Sequence, residues 1–119
     1  VENTRVMNFL QTVRISGESM APTLKSGQRA IFLKSSPSKS SRTVLGIGDK
    51  WLGRIVLIQR INNLGARDFY QVKRITEIKD GKFFVTGDNP EYSTDSREFG
   101  WLSADEIVGK LLFKFGKYF

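Results

Sequence analysis

Apolar residues in this chain fall in short runs separated by turn signals, the pattern of strands rather than of amphipathic helices. Thr12 to Ile15 reads as a short strand entering a turn at Gly17, and Arg29 to Leu33 as a second strand after the turn signal Lys25-Ser26-Gly27. Gly53 introduces Arg54 to Ile61, where Ile55, Val56, Leu57 and Ile58 follow one another without a polar break. A strand with one solvated face would alternate, so this run predicts a strand buried on both faces. Asn62-Asn63-Leu64-Gly65 is a turn. Phe69 to Ile78 and Lys82 to Thr86 flank Asp80-Gly81, a hairpin signal because both residues tolerate positive φ. Ser103-Ala104-Asp105-Glu106 is a capping-box pattern for a short helical turn, and Ile107 to Phe115 is a further apolar strand. Residues 35–43 are Ser-rich and basic and contain Pro37, which predicts an exposed, flexible loop. No internal repeat is present. The expectation is one domain over residues 1–119, a compact, mostly antiparallel β fold with short helical turns.

Composition narrows the chemistry. The 119 residues are 39% hydrophobic, 26% charged and 12% aromatic, which suits one small globular domain and argues against disorder along most of its length. The formal net charge is +7. Its Lys and Arg residues are scattered, with only a loose concentration from Lys34 to Arg42, so a basic surface is expected rather than a nucleic-acid footprint. The chain has no cysteine and no histidine. Disulfides, thiolate nucleophiles, the usual zinc sites and every Ser-His-Asp arrangement are thereby excluded. No apolar run approaches the roughly 20 residues of a spanning helix, and Val1 to Gly17 does not resemble a signal peptide. An opening at Val1 rather than Met suggests processing or trimming, so a preceding anchor stays an open expectation.

The polar residues are densest in the two least regular segments, around Gly17 and around Gly87. A serine nucleophile needs an exposed hydroxyl on a sharply turned backbone beside free N–H groups. In Ser16-Gly17-Glu18-Ser19-Met20-Ala21-Pro22-Thr23-Leu24, Gly17 permits the turn and Pro22 fixes the chain shortly after. An arbitrary Ser in such a context is an ordinary turn residue; the whole string is more specific. It resembles the nucleophile box of type I signal peptidases, Ser-Met-x-Pro-Thr-Leu preceded by Gly or Ser, a Ser-Met core shared with self-cleaving repressors. That resemblance implies a signal-peptidase-like β fold, Ser19 as nucleophile and a substrate cleft including Met20 and Pro22. An ordinary core methionine is an equal reading of Met20.

Without histidine, a general base must be Lys, Asp or Glu. A Lys serves only if its pKa, about 10.4 when free, is brought down by burial. Alternation in Tyr70-Gln71-Val72-Lys73-Arg74-Ile75 places Lys73 and Ile75 on one strand face and Arg74 on the other. Taken alone, such a Lys would be a solvated edge residue. Val-Lys-Arg-Ile resembles the box that carries the catalytic lysine of signal peptidases, which selects Lys73 from among the lysines.

Gly87-Asp88-Asn89, followed by Ser93-Thr94-Asp95-Ser96-Arg97 and Gly100, looks like the final signal-peptidase box, which the self-cleaving repressors lack. By position the resemblance implies that Ser93 orients the Lys73 amine, that Asp95 pairs with Arg97, and that Asp88 pairs with Arg74. The oxyanion would be held by the Ser19 backbone N–H and a second donor, open between Gly17 and Ser16. The acidic residues lack calcium-loop spacing and its terminal Glu, so neither a metal site nor a cofactor is expected. A protein substrate would bind extended along the cleft edge.

The resemblance covers most of Val13 to Leu111, in reduced form. Arg74-Ile75 runs directly through the Asp80-Gly81 hairpin into Gly87, which leaves no space for the family's large insertion domain, and Gln28 stands where an Asp is common. The short form, with Asn-Pro after Gly-Asp, looks most like the small maturation proteases of nickel-type superoxide dismutase, which remove an N-terminal propeptide. Three readings follow: a propeptide-removing serine endopeptidase, cytoplasmic if soluble; the catalytic domain of a membrane-anchored type I signal peptidase, on the extracytoplasmic face if an anchor was removed; or a non-enzymatic basic β-rich binding module. Membrane contact is expected only for the anchored form.

Overall fold

The computed structural model describes residues 1–6, 9–37 and 50–116. Eight strands form one sheet: β1 (Glu2–Val6), β2 (Leu10–Arg14), β3 (Arg29–Lys34), β4 (Ile55–Ile61), β5 (Arg67–Lys79), β6 (Lys82–Thr86), β7 (Leu102–Ser103) and β8 (Ile107–Phe115). Their order across the sheet is β1-β2-β3-β8-β4-β5-β6-β7, and every pairing is antiparallel. The mostly antiparallel β architecture expected from the pattern is the one found. Most of the loop expected at residues 35–43 lies outside the described residues.

The uninterrupted apolar run explains β4. Ile55 and Leu57 pack into one core cluster with Val13, Met20, Leu24, Phe32 and Val72. Val56 and Ile58 pack into a second, with Ile75, Val85, Leu102 and Ile107. Both faces of β4 are therefore covered, and alternation along it divides the core in two. Gly109 of β8 allows the closest packing here: a Cβ there would lie 3.2 Å from the Phe32 Cβ and 3.4 Å from the Leu57 Cβ.

The longest strand changes partners partway. β5 pairs with β4 from Arg67 to Arg74, and its pairing with β6 begins at Arg74↔Thr86, with a register shift between Ile75 and Glu77. Along residues 67–73 the edge away from β4 has no strand neighbour among the described residues. The return into β6 is the Asp80-Gly81 turn, with φ of +51° and +74°, the backbone a two-residue hairpin loop needs. A 3₁₀ turn at Pro90–Tyr92 and one helical turn, α1 (Ser96–Phe99), follow β6. Ala104–Glu106 forms the 3₁₀ turn closed by the Ser103/Glu106 capping box.

Phe32 is fully buried where β3, β4 and β8 meet. Phe32→Ala is expected to lower unfolding stability by about 3–5 kcal/mol, read as a lower midpoint in urea denaturation with little change in slope.

Candidate active site

The turn after β2 places Ser19. The chain leaves β2 with the Ile15 N–H donating to the Gln28 carbonyl, passes Gly17 at φ +83°, and folds back through Ala21 N–H to Glu18 carbonyl and Leu24 N–H to Met20 carbonyl. Positive φ favours glycine, and open space surrounds Gly17 where a side chain would stand. Ser19 is half-buried, while Ser16, Gly17 and Glu18 are exposed.

Ser16, Gly17, Ser19, Met20 and Lys73 all line one open cleft of about 290 Å³, to which the exposed edge of β5 contributes Phe69 and Gln71. Pro22, expected in the cleft, is exposed and lies outside its lining, because the turn at Met20–Leu24 carries the chain away. Met20 is 2% exposed, packs in the first core cluster, and its thioether accepts the Asp88 N–H at 3.4 Å. It is a core methionine and a cleft wall at once.

Lys73 is only 4% exposed. Its Nζ donates to Ser93 Oγ at 3.1 Å, and no hydrogen bond joins it to Ser19 among the described residues. Burial pushes its amine below the ordinary lysine pKa; Asp95 opposes this, Arg97 adds to it, and Glu98 opposes it. Ser93 Oγ in turn donates to Asp95 Oδ2 at 2.8 Å.

Asp95 is fully buried, and its two oxygens take up five donors. Oδ2 accepts from Ser93, from the Gly87 N–H at 2.8 Å and from an Arg97 Nη at 2.7 Å; Oδ1 accepts Arg97 Nε at 2.9 Å and the Arg97 N–H at 3.2 Å. Burial alone would raise this carboxyl, but the Arg97 guanidinium, the Gly87 N–H and the Ser93 hydroxyl together hold it well below the usual carboxylate range. Gly87 has to lack a side chain: a Cβ there would overlap the Ser93 side chain and the Ser19 carbonyl oxygen.

A second carboxylate lies beside the first. Asp88 receives Arg74 through two bonds of 2.8 Å and the Thr23 hydroxyl at 2.6 Å. The Arg74 hydrogen bond pulls the Asp88 carboxyl below its ordinary value, against desolvation and with help from Thr23. A further Nη of Arg74 reaches the Gly53 carbonyl at 2.8 Å. Asn89 completes the link to the Ser19 turn, its N–H donating to the Ser19 carbonyl at 2.9 Å and its side chain to the Glu18 carbonyl at 3.0 Å. Thr23 and Asn89 had been assigned no role from sequence, although both stand inside the quoted motifs.

Thus Ser19, Lys73, Met20, Gly17 and Ser16 meet at the cleft, while Ser93, Asp95, Arg97, Asp88 and Arg74 stand behind it as two ion-paired supports. Among the described residues no group of three or more His, Cys, Asp or Glu could hold a metal ion, and no helix is long and apolar enough to cross a membrane.

A family model described as signal peptidase, peptidase S26, matches residues 57–116. Among curated proteins, Signal peptidase IB from Staphylococcus aureus strains Mu50 and COL is 55% identical over 38 residues, covering 32% of this chain and 20% of the relative. The chain spans about a fifth of the length of the curated relatives it matches.

Both carboxylates titrate below the unfolded value, so their stabilisation is complete above about pH 4 and is lost as pH falls through the depressed folded values. The melting temperature is expected to hold from neutrality to about pH 4 and then to fall steeply. Asp88→Asn is expected to lower it at neutral pH and flatten that fall; calorimetry across pH 2 to 7, a range of roughly that extent, is the check.

Proposed function

The chain belongs to the peptidase S26 family of signal peptidases, and from that membership we propose that it is a serine endopeptidase with Ser19 as nucleophile and Lys73 as general base. The observation that carries this reading is Lys73 itself, a nearly water-free amine on the wall of the cleft that holds Ser19. Burial supplies the neutral amine that a lysine base needs near physiological pH.

Lys73 Nζ takes the Ser19 hydroxyl proton as Ser19 Oγ bonds to the scissile carbonyl carbon. The oxyanion is received by the Ser19 N–H, with Gly17 or Ser16 supplying the second donor. The C–N bond then breaks, and the Lys73 ammonium returns its proton to the leaving amine. Lys73 next deprotonates a water that hydrolyses the acyl-enzyme, regenerating Ser19. Ser93 holds the amine, and the Asp95–Arg97 and Asp88–Arg74 pairs brace the loop.

The substrate is a precursor protein in extended form, added along the edge of residues 67–73 that has no strand neighbour among the described residues, where it would displace the Val1 amine from the Tyr70 carbonyl it meets at 3.2 Å. Reduction of the insertion between Lys73 and Gly87 to a two-residue hairpin supports removal of an N-terminal propeptide, with a nickel-type superoxide dismutase precursor as the candidate. A second reading, the catalytic part of a membrane-anchored signal peptidase, is favoured by the named relatives, of which this chain spans a fifth. Mass spectrometry of the new N-terminus after incubation with each precursor type separates the two.

Ser19→Ala and Lys73→Ala are each expected to lower kcat by at least about 10³-fold while circular dichroism and melting stay close to the parent. The rate of the parent is expected to rise with pH as Lys73 deprotonates; a flat profile from about pH 6 to 9, or full activity in Lys73→Ala, would remove the lysine as base.

A further inference from the structure

The Ser93 hydroxyl carries a single proton, and the structure shows where it must go. An ionised carboxylate only accepts, so the 2.8 Å contact between Ser93 Oγ and Asp95 Oδ2 is a hydrogen bond only if Ser93 is its donor. Ser93 Oγ is then left with lone pairs alone to offer Lys73 Nζ at 3.1 Å. A neutral amine has two N–H groups and one lone pair. Bonded to an obligate acceptor, it presents an N–H to Ser93 and turns its lone pair elsewhere. With its proton free, Ser93 could donate to that lone pair instead and occupy the electrons that the base needs.

We propose that Asp95 is a positioning residue for the base: by holding the Ser93 proton it obliges Lys73 to donate to Ser93 and keeps the Lys73 lone pair open for the Ser19 hydroxyl. This rests on the Ser19/Lys73 reading and goes beyond bracing of the loop. Asp95 suits the task because Arg97 and the Gly87 N–H keep it ionised against the pull of burial, and burial fixes it in place. The missing side chain of Gly87 lets the three groups close up, since a Cβ there would overlap Ser93. No bond joins Asp95 to Lys73 directly; its effect on the amine's orientation passes through Ser93.

Two experiments test this. Neutron diffraction on the deuterated parent protein, at a pH where the amine is neutral, should place the Ser93 deuteron towards Asp95 Oδ2. A deuteron directed at Lys73 Nζ overturns the proposal, and this measurement needs no variant to fold.

The second is a double-mutant cycle on the alkaline plateau of the rate. Ser93→Ala and Asp95→Ala, the latter removing every Asp95 acceptor for the Ser93 proton, should each lower kcat about 10- to 100-fold with KM changed less than about twofold, and the double variant should be no slower than the slower single. Losses that multiply overturn the proposal. The charged groups acting on Lys73 are Asp95, Arg97, Glu98 and the Val1 amine. Removing the Asp95 charge should move the acid limb of the pH profile to lower pH. An unmoved limb with a lowered melting temperature marks a merely structural role and overturns it as well. Activity retained in Lys73→Ala would instead defeat the underlying dyad, whereas an inactive Lys73→Ala with multiplied losses defeats the role of Asp95 alone.

Discussion

Keeping one amine out of water is the constraint on which this structure turns. Burying a lysine to 4% exposure is costly unless its amine is neutral or partnered, and among the described residues Lys73 makes one hydrogen bond and no direct ion pair. Val72 packs into the first core cluster and Ile75 into the second, so Lys73 is carried by a strand anchored on both sides of the divided core. The nearest carboxylate reaches it only through the Ser93 hydroxyl. Full ionic contact would stabilise the ammonium and raise the pKa; a hydroxyl between the two moderates that pull.

The segment that follows β6 serves both halves of the cleft. Gly87, Ser93 and Asp95 form the group behind Lys73, while Asp88 and Asn89 hold the Ser19 turn through Thr23, the Met20 thioether and the Ser19 and Glu18 carbonyls. A shift of this segment therefore displaces the Ser19 turn and the Lys73 amine together. Arg74 ties the same segment to β5 and to Gly53, one residue beyond Lys73 and at the point where β5 changes partners. Two carboxylates, Asp95 with five donors and Asp88 with three, pin this segment to both halves of the cleft.

Elements with an autonomous local cause were legible from sequence. The unbroken Ile55–Ile58 run meant two covered faces, Asp80-Gly81 meant a tight hairpin, and Ser103 with Glu106 meant a capped turn. The misses lack such causes. β1 is a polar run, Glu-Asn-Thr-Arg-Val, and is a strand through its pairing with β2. β7 has two residues and exists through its bonds to β6. The single turn of α1 is too short for periodicity and is held by Asp95 at its N-terminus. Pro22 was placed in the cleft by resemblance, and it stands exposed on the turn after Met20, outside the residues that line the cleft.

By itself the sequence determined the residue types from which any chemistry here must be drawn. With no histidine and no cysteine, a hydroxyl nucleophile has only lysine or a carboxylate to turn to, and the Ser19 and Gly87 segments hold the unusual polar residues. It also determined the strands whose burial pattern is written in consecutive side chains. The motifs already implied Ser93 against the Lys73 amine and Asp95 against Arg97; only the tertiary structure decided that Lys73 is 4% exposed and that the same Asp95 also takes the Ser93 hydroxyl and the Gly87 N–H. The reason is physical: desolvation and hydrogen-bond direction depend on what closes over a side chain from distant parts of the chain. In the strand that bears it, Lys73 is written the same way as a lysine in water.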